Sequence, residues 1–142
     1  MRHPSLKLAA GATLLWAATL TTAFGHGNVA PQPVDTSSLR QLGEEWLEEN
    51  PYRGDGKAIE IGSSAYNQNC ARCHGLGAVS GGIAPDLRNL PPDDEGDAWF
   101  IMRIRNGAIR NGITYMPPFE GILSQEAMWS IRAWLVTLEP DQ

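Results

Sequence analysis

The sequence predicts a small all-α domain, three to four core helices preceded by an N-terminal extension. Three observations carry this. Apolar residues recur at spacings of three and four in separate stretches, each bounded by a capping residue or by a glycine or proline stop. No stretch alternates apolar and polar residues in a convincing strand pattern, and there is no internal repeat. The length, 142 residues, allows one compact domain with an extension, and two cysteines are too few to staple a disulfide scaffold.

The first 25 residues stand apart. Arg2, His3 and Lys7 precede an apolar stretch from Leu8 to about Leu20, followed by small residues, and no acid occurs before Asp35. This is the pattern of a secretory signal peptide, cleaved after Gly25 with Ala23 at the −3 position, or after Ala23. The alternative is an uncleaved anchor. Gly11, Thr13, Thr19, Thr21 and Thr22 interrupt the run, whereas a span wants about 20 predominantly apolar residues. No later stretch is apolar enough to cross a bilayer, so the processed chain is expected not to span a membrane.

Residues 26–56 form the extension. Pro31 and Pro33 make its start an extended arm. Ser37 or Ser38 is placed to cap a short helix running to about Glu49, with Leu39, Leu42, Trp46 and Leu47 as its apolar stripe and glutamates opposite. Asn50-Pro51-Tyr52-Arg53-Gly54 is a stop and turn.

The domain at 57–142 begins with a helix from about Lys57 to Cys70, in which Ile59, Gly62, Tyr66 and Asn69 share a face. Gly62 costs such a helix about 1 kcal/mol relative to alanine, which a close approach by a crossing helix would offset. Residues 75–87, with Gly75, Gly77, Gly81 and Gly82, read as loop. A third helix follows the acidic group Asp93–Asp97, whose charges suit a helix N-terminus, and ends at Asn106 before Gly107. Residues 107–123 read as loop. The last helix starts at Ser124 as cap and ends near Leu138, with Met128, Ile131, Leu135 and Leu138 on one face beside Trp134.

Charge narrows the function. The formal net charge is −5, and removal of Arg2 and Lys7 with no acid makes it −7, which argues against nucleic acid as a partner. The acidic clusters Glu44, Glu45, Glu48, Glu49 and Asp93, Asp94, Glu95, Asp97 read as solvated helix faces or starts, with a docking surface as the alternative.

The chemistry lies in Cys70-Ala71-Arg72-Cys73-His74, the C-x-x-C-H pattern of c-type haem attachment. Two thiols three residues apart reach the two vinyl groups on one porphyrin edge and add to them as thioethers. His74 then lies beneath the ring, with Nε2 free to bind iron. A redox disulfide would call for a thioredoxin-like βαβ pattern, which is absent. A zinc site would need more cysteines or histidines, and past the signal only His26 accompanies His74. One covalent haem c is therefore the expected cofactor.

The second axial ligand comes from Met102, Met116, Met128 or His26, unless the position is open. Met102 and Met128 fall among apolar residues of helices, where gap-filling in a core is the expected role. Met116 lies in a loop stiffened by Pro117 and Pro118 and is the leading candidate. The His74 Nδ1–H needs an acceptor to fix the ring, and the Pro85 carbonyl is the candidate, the alternative being that Pro85 merely turns the chain. Arg72, Arg88, Arg103 and Arg105 are candidates for pairing with haem propionates, and no dense carboxylate loop compels a calcium ion.

With these residues in view, residues 57–138 resemble the class I monohaem c-type cytochromes. Gly62 and Tyr66 ahead of the haem motif, Pro85-Asp86-Leu87, Asn106-Gly107, Met116-Pro117 and Trp134 all match that family, although Ala84 stands where glycine is common. The resemblance implies the class I cytochrome c fold around one haem, and a Pro85 carbonyl that accepts from His74. It also implies that Trp134 packs against the first helix near Gly62 and Tyr66. The stretches Gly43-Glu44-Glu45-Trp46-Leu47-Glu48-Glu49-Asn50-Pro51-Tyr52-Arg53-Gly54, Tyr66-Asn67-Gln68-Asn69-Cys70 and Tyr115-Met116-Pro117-Pro118-Phe119 look like a narrower subgroup. Its members accept electrons from PQQ-dependent alcohol dehydrogenases, notably the ethanol-oxidising system.

The implied function is a periplasmic electron carrier, not an enzyme. A PQQ-dependent alcohol dehydrogenase is the expected donor, and a terminal oxidase or another cytochrome the expected acceptor. The alternatives are a haem sensor or enzyme with an open iron position, and a fixed cytochrome subunit of a dehydrogenase complex.

Overall fold

The computed structural model describes residues 31–140. The signal segment and His26 lie outside the described residues. Among the described residues there are four helices: α1 (Gly56–Asn69), α2 (Ala71–His74), α3 (Asp94–Asn106) and α4 (Gln125–Leu135). Short 3-10 turns occupy Leu76–Ala78 and Leu87–Asn89. Two strands, β1 (Ala108–Arg110) and β2 (Ile113–Met116), pair antiparallel. The fold is mainly helical, and the hairpin makes all-α only an approximation.

Helix α1 starts where Asp55 accepts hydrogen bonds from the Lys57 and Ala58 N–H groups. It crosses α4, and Gly62 is the point of contact. A Cβ there would fall on the Ser130 carbonyl oxygen, so only glycine lets the two backbones meet. One turn further on, the Tyr66 and Trp134 rings pack with centroids 4.6 Å apart, as the resemblance implies. Ser124 caps α4 through the Ala127 N–H, as expected, and the helix gives way to a turn after Leu135.

Residues 107–123 are not simply a loop. Ala108 to Met116 form the hairpin, turning at Asn111-Gly112, where both residues have positive φ (51° and 76°). This is the two-residue turn whose backbone matches the right-handed twist of flanking strands. The Asn-Gly pair was the available signal. It is easily passed over because the strands are short and a bulge lies between Ala108 and Ile109.

The expected helix at 37–49 does not form; the segment runs as turns and bends. Its apolar residues are still used. Leu39 is buried, and Leu42, Trp46 and Leu47 pack against the core. The backbone amides find partners on α4 instead of four residues back. Leu42 N–H donates to Glu126 Oε1 (2.9 Å), Leu47 N–H donates to Gln125 Oε1 (2.8 Å), and Gln125 Nε2 donates to the Glu45 carbonyl (2.9 Å). Like charges four apart, Glu44 with Glu48 and Glu45 with Glu49, would also have opposed the helix.

This wrapping explains why α4 is buried on nearly every side, polar residues included. Burial draws the Glu126 carboxyl upward, but hydrogen bonds from Leu42, its own N–H and Ser124 outweigh it and hold it below its ordinary value. Asp97, expected on a solvated helix start, is fully buried. It accepts from Arg132 Nε (2.6 Å), Arg53 Nη2 (2.6 Å) and the Asn50 N–H (2.9 Å), tying the extension, α3 and α4 together. A buried carboxylate with two guanidinium partners is strongly sensitive to loss of either.

Candidate functional site

A cavity of about 1050 Å³ opens between α2, the loop before Leu87, α3 and the hairpin. Cys70, Cys73, His74, Pro85 and Met116 all line it. Each arrives by a local cause. Helix α1 ends at Cys70, whose N–H donates to the Tyr66 carbonyl, and α2 then carries Cys73 and His74 on a single turn. Both cysteines are free thiols. Burial, with the neighbouring Cys73 adding, pushes the Cys70 thiol up to about 12.

The imidazole of His74 is oriented from below. Its Nδ1 lies 2.9 Å from the Pro85 carbonyl oxygen, so Nδ1 carries the proton and donates, leaving Nε2 as the basic nitrogen. Tyr66 supports the same turn, its hydroxyl donating to the Gly75 carbonyl at 2.8 Å. Burial raises that phenol well above its usual range, so it remains a donor.

Met116 enters at the end of β2. Of the three methionines among the described residues, it alone lines the cavity. Met128 is fully buried in the core, as expected. Met102 is not a core residue; it is 44% exposed, while Phe100, Ile101 and Ile104 are the apolar side chains that α3 buries. The Met116 strand is seated on Gly107, which ends α3 with φ 69°. A Cβ on Gly107 would run into the Met116 carbonyl and the Pro117–Pro118 backbone.

The expected arginine set divides. Arg72 and Arg103 line the cavity. Arg88 is paired with Asp86, and Arg105 with Glu120, its guanidinium lying over the Trp46 ring. Arg110, absent from the expected set, also lines the cavity, above the Tyr115 ring. It was missed with the hairpin that carries it. Among the described residues, no aspartate or glutamate lines the cavity, although the chain is acidic.

These residues suit a covalently held haem. The cavity is mostly apolar, with Ile83, Leu87, Phe100, Ile104 and Ile131 in its lining. Two thiols sit on one wall, an oriented imidazole lies beside them, and a thioether stands on the hairpin. No group of three or more His, Cys, Asp or Glu side chains among the described residues is placed to hold a bare metal ion.

Comparison with known proteins agrees. Residues 57–135 match the family model described as cytochrome c oxidase, cbb3-type, subunit III. Cytochrome c550 of Pseudomonas aeruginosa is 55% identical over 124 residues, covering 84% of this chain and 86% of that protein. Quinohemoprotein alcohol dehydrogenase ADH-IIG of Pseudomonas putida is 37% identical over 82 residues, covering 58% of this chain but only 11% of that much longer protein. Among solved structures, cytochrome CL from the marine methylotrophic bacterium Methylophaga aminisulfidivorans MPT superposes with a TM-score of 0.52 at 26% identity, over 73% of this chain and 76% of that one.

Proposed function

The chain belongs to the class I monohaem c-type cytochromes, and from that premise we propose a periplasmic carrier that takes single electrons from a PQQ-dependent alcohol dehydrogenase. It passes them to a terminal oxidase or another cytochrome. This is an electron-transfer cytochrome with covalent haem c, not an enzyme.

The observation that carries the reading is one cavity lined by both an oriented imidazole and a thioether. Cys70 and Cys73 would hold the group by thioethers, and its iron, passing between Fe(II) and Fe(III), supplies the redox chemistry. His74 Nε2 and the Met116 sulfur would be the side-chain atoms that hold its iron. His74 is kept in one tautomer by Pro85, and Met116 is kept in place by the proline pair that follows it. Ligands held in both oxidation states keep reorganisation small. A methionine–histidine pair also places the potential above that of a bis-histidine site. The apolar lining would exclude water around the iron.

The donor is supported by the similarity to part of a quinohemoprotein alcohol dehydrogenase, and an oxidase as acceptor by the description of the matching family model. The export pattern of residues 1–25 supports the periplasm. Complexes of such carriers are transient and bury small interfaces, typically under about 1,200 Å².

One experiment tests both levels. Oxidised haem-loaded protein is mixed with purified PQQ-dependent dehydrogenases, each reduced by its own alcohol, and haem reduction is followed by stopped flow. Rapid reduction by the ethanol-oxidising enzyme is expected. Reduction by none of them removes the donor while leaving the cytochrome. The red-edge absorption band of methionine–iron(III) ligation should be present in the wild type. Met116→Ala should abolish it and lower the potential, and a band that survives that substitution would place the ligand elsewhere.

A further inference from the structure

The loop between Ser80 and Asp86 contains Gly81 and Gly82, yet it delivers one carbonyl, that of Pro85, to His74 Nδ1 at 2.9 Å. Glycine-rich backbone is entropically costly to hold in one conformation. Something outside the proline ring must hold this one, because proline fixes φ but leaves the direction of its own carbonyl free.

The side chains at the two ends of the loop do so. Asp86 Oδ1 accepts from the Arg88 N–H and from Arg88 Nε, both at 3.0 Å. Asp86 Oδ2 accepts from Arg88 Nη2 at 2.7 Å and from the Ser80 N–H at 3.3 Å. The ion pair is largely shielded, the side chains being 18% and 10% exposed. The Ser80 hydroxyl accepts from the Gly82 N–H at 3.0 Å and donates to the Ala84 carbonyl. The Pro85 oxygen belongs to the peptide group shared with the Asp86 nitrogen, so pinning Asp86 at φ −72° pins that peptide plane.

We propose that Asp86, clamped by Arg88 and Ser80, is a positioning residue that aims the Pro85 carbonyl at His74 and thereby sets how strongly that imidazole donates to the metal. The proposal rests on the electron-carrier reading above. A firm Nδ1–H···O=C bond gives the ring more imidazolate character and makes Nε2 the better donor, which favours the oxidised metal. Loosening the clamp weakens the donor and moves the potential upward. The Asp86 carboxyl, held down to about 2 chiefly by its hydrogen bonds with Arg88, stays ionised throughout the neutral range, so the clamp does not titrate there.

The test uses the full, haem-loaded protein and two variants, Asp86→Asn and Ser80→Ala, which cut different strands of the clamp. In Asp86→Asn the midpoint potential should move positive. Exchange of the His74 Nδ1 proton with solvent, followed by NMR in the diamagnetic reduced state, should quicken about tenfold, the equivalent of one lost hydrogen bond. Ser80→Ala should shift both in the same direction by less, and it decides the matter if Asp86→Asn does not fold. The methionine–iron(III) band should persist in both. Unchanged potential and exchange in the folded variants, even with a lowered melting temperature, would reduce the clamp to a loop brace and overturn the proposal. Loss of the band would also overturn it, since the effect would then lie on the opposite wall. Failure of the carrier reading is separate, because it shows in the wild-type band and in the dehydrogenase assay.

Discussion

The two walls of the haem cavity are built on different principles. The histidine wall is tied by side chains: Tyr66 to Gly75, His74 to Pro85, Asp86 to Arg88 and Ser80. The methionine wall is held mainly by backbone, with a side-chain tie from Arg103 Nη1 to the Gly107 carbonyl at 3.0 Å. It has the β1–β2 ladder, the Asn111-Gly112 turn, the Phe119 N–H donating to the Ile104 carbonyl at 3.0 Å, and Gly107 lying against the Met116 carbonyl. Side-chain ties fix the direction of a group, as an imidazole plane requires. Backbone packing fixes position, which a flexible thioether needs more than it needs a particular direction. Substitutions should therefore act differently on the two sides.

The largest effect is expected at Gly107. Gly107→Val brings a side chain both into backbone and into a positive-φ position, costing about 3 kcal/mol or more. Thermal unfolding should show the loss, and the methionine band should fade at temperatures where the His74 signals persist. Simultaneous loss of both would mean that the walls are one cooperative unit. A smaller effect is expected on the other side. Tyr66→Phe removes one hydrogen bond while keeping the ring against Trp134, so a loss of about 1 kcal/mol in denaturant unfolding is expected, with the band intact. Smallest of all is an acid effect. Asp86 is depressed from 3.8 to about 2 when folded, so its contribution is complete above 3.8 and disappears as pH falls through about 2. The stability gap between wild type and Asp86→Asn should close across that window, and a gap unchanged at pH 2 would show that the charge is not what holds the loop.

The same contrast separates what was legible in the sequence from what was not. Local chemistry was readable. The C-x-x-C-H spacing, the proline-braced Met116 and the caps at Ser124 and Gly107 each depend on neighbours in the chain, and Cys70, Cys73, His74 and Met116 line one cavity, with Pro85, which the family resemblance pointed to, beside them. Long-range capture was not readable. Residues 37–49 carry a helical stripe, but Gln125 and Glu126 bind their amides from a helix far along the chain, and tertiary contact overrides propensity. Asp97 is one of a run of acids, and only the folded chain shows Arg53 and Arg132 closing over it. Arg110 was lost with the hairpin, whose Asn-Gly turn is a local signal and was within reach.

The Gly62–Ser130 crossing makes the order of synthesis matter. Helix α4 is the last element of the described chain, and it supplies the surface on which α1, the first, is laid. A premature stop between Pro117 and Ser124 would leave both cysteines, His74 and Met116 in place and still remove what Gly62 and Tyr66 rest on. Such a fragment has the full complement of ligands and nothing to align them, so terminal nonsense mutations should be as damaging to this protein as loss of a thiol.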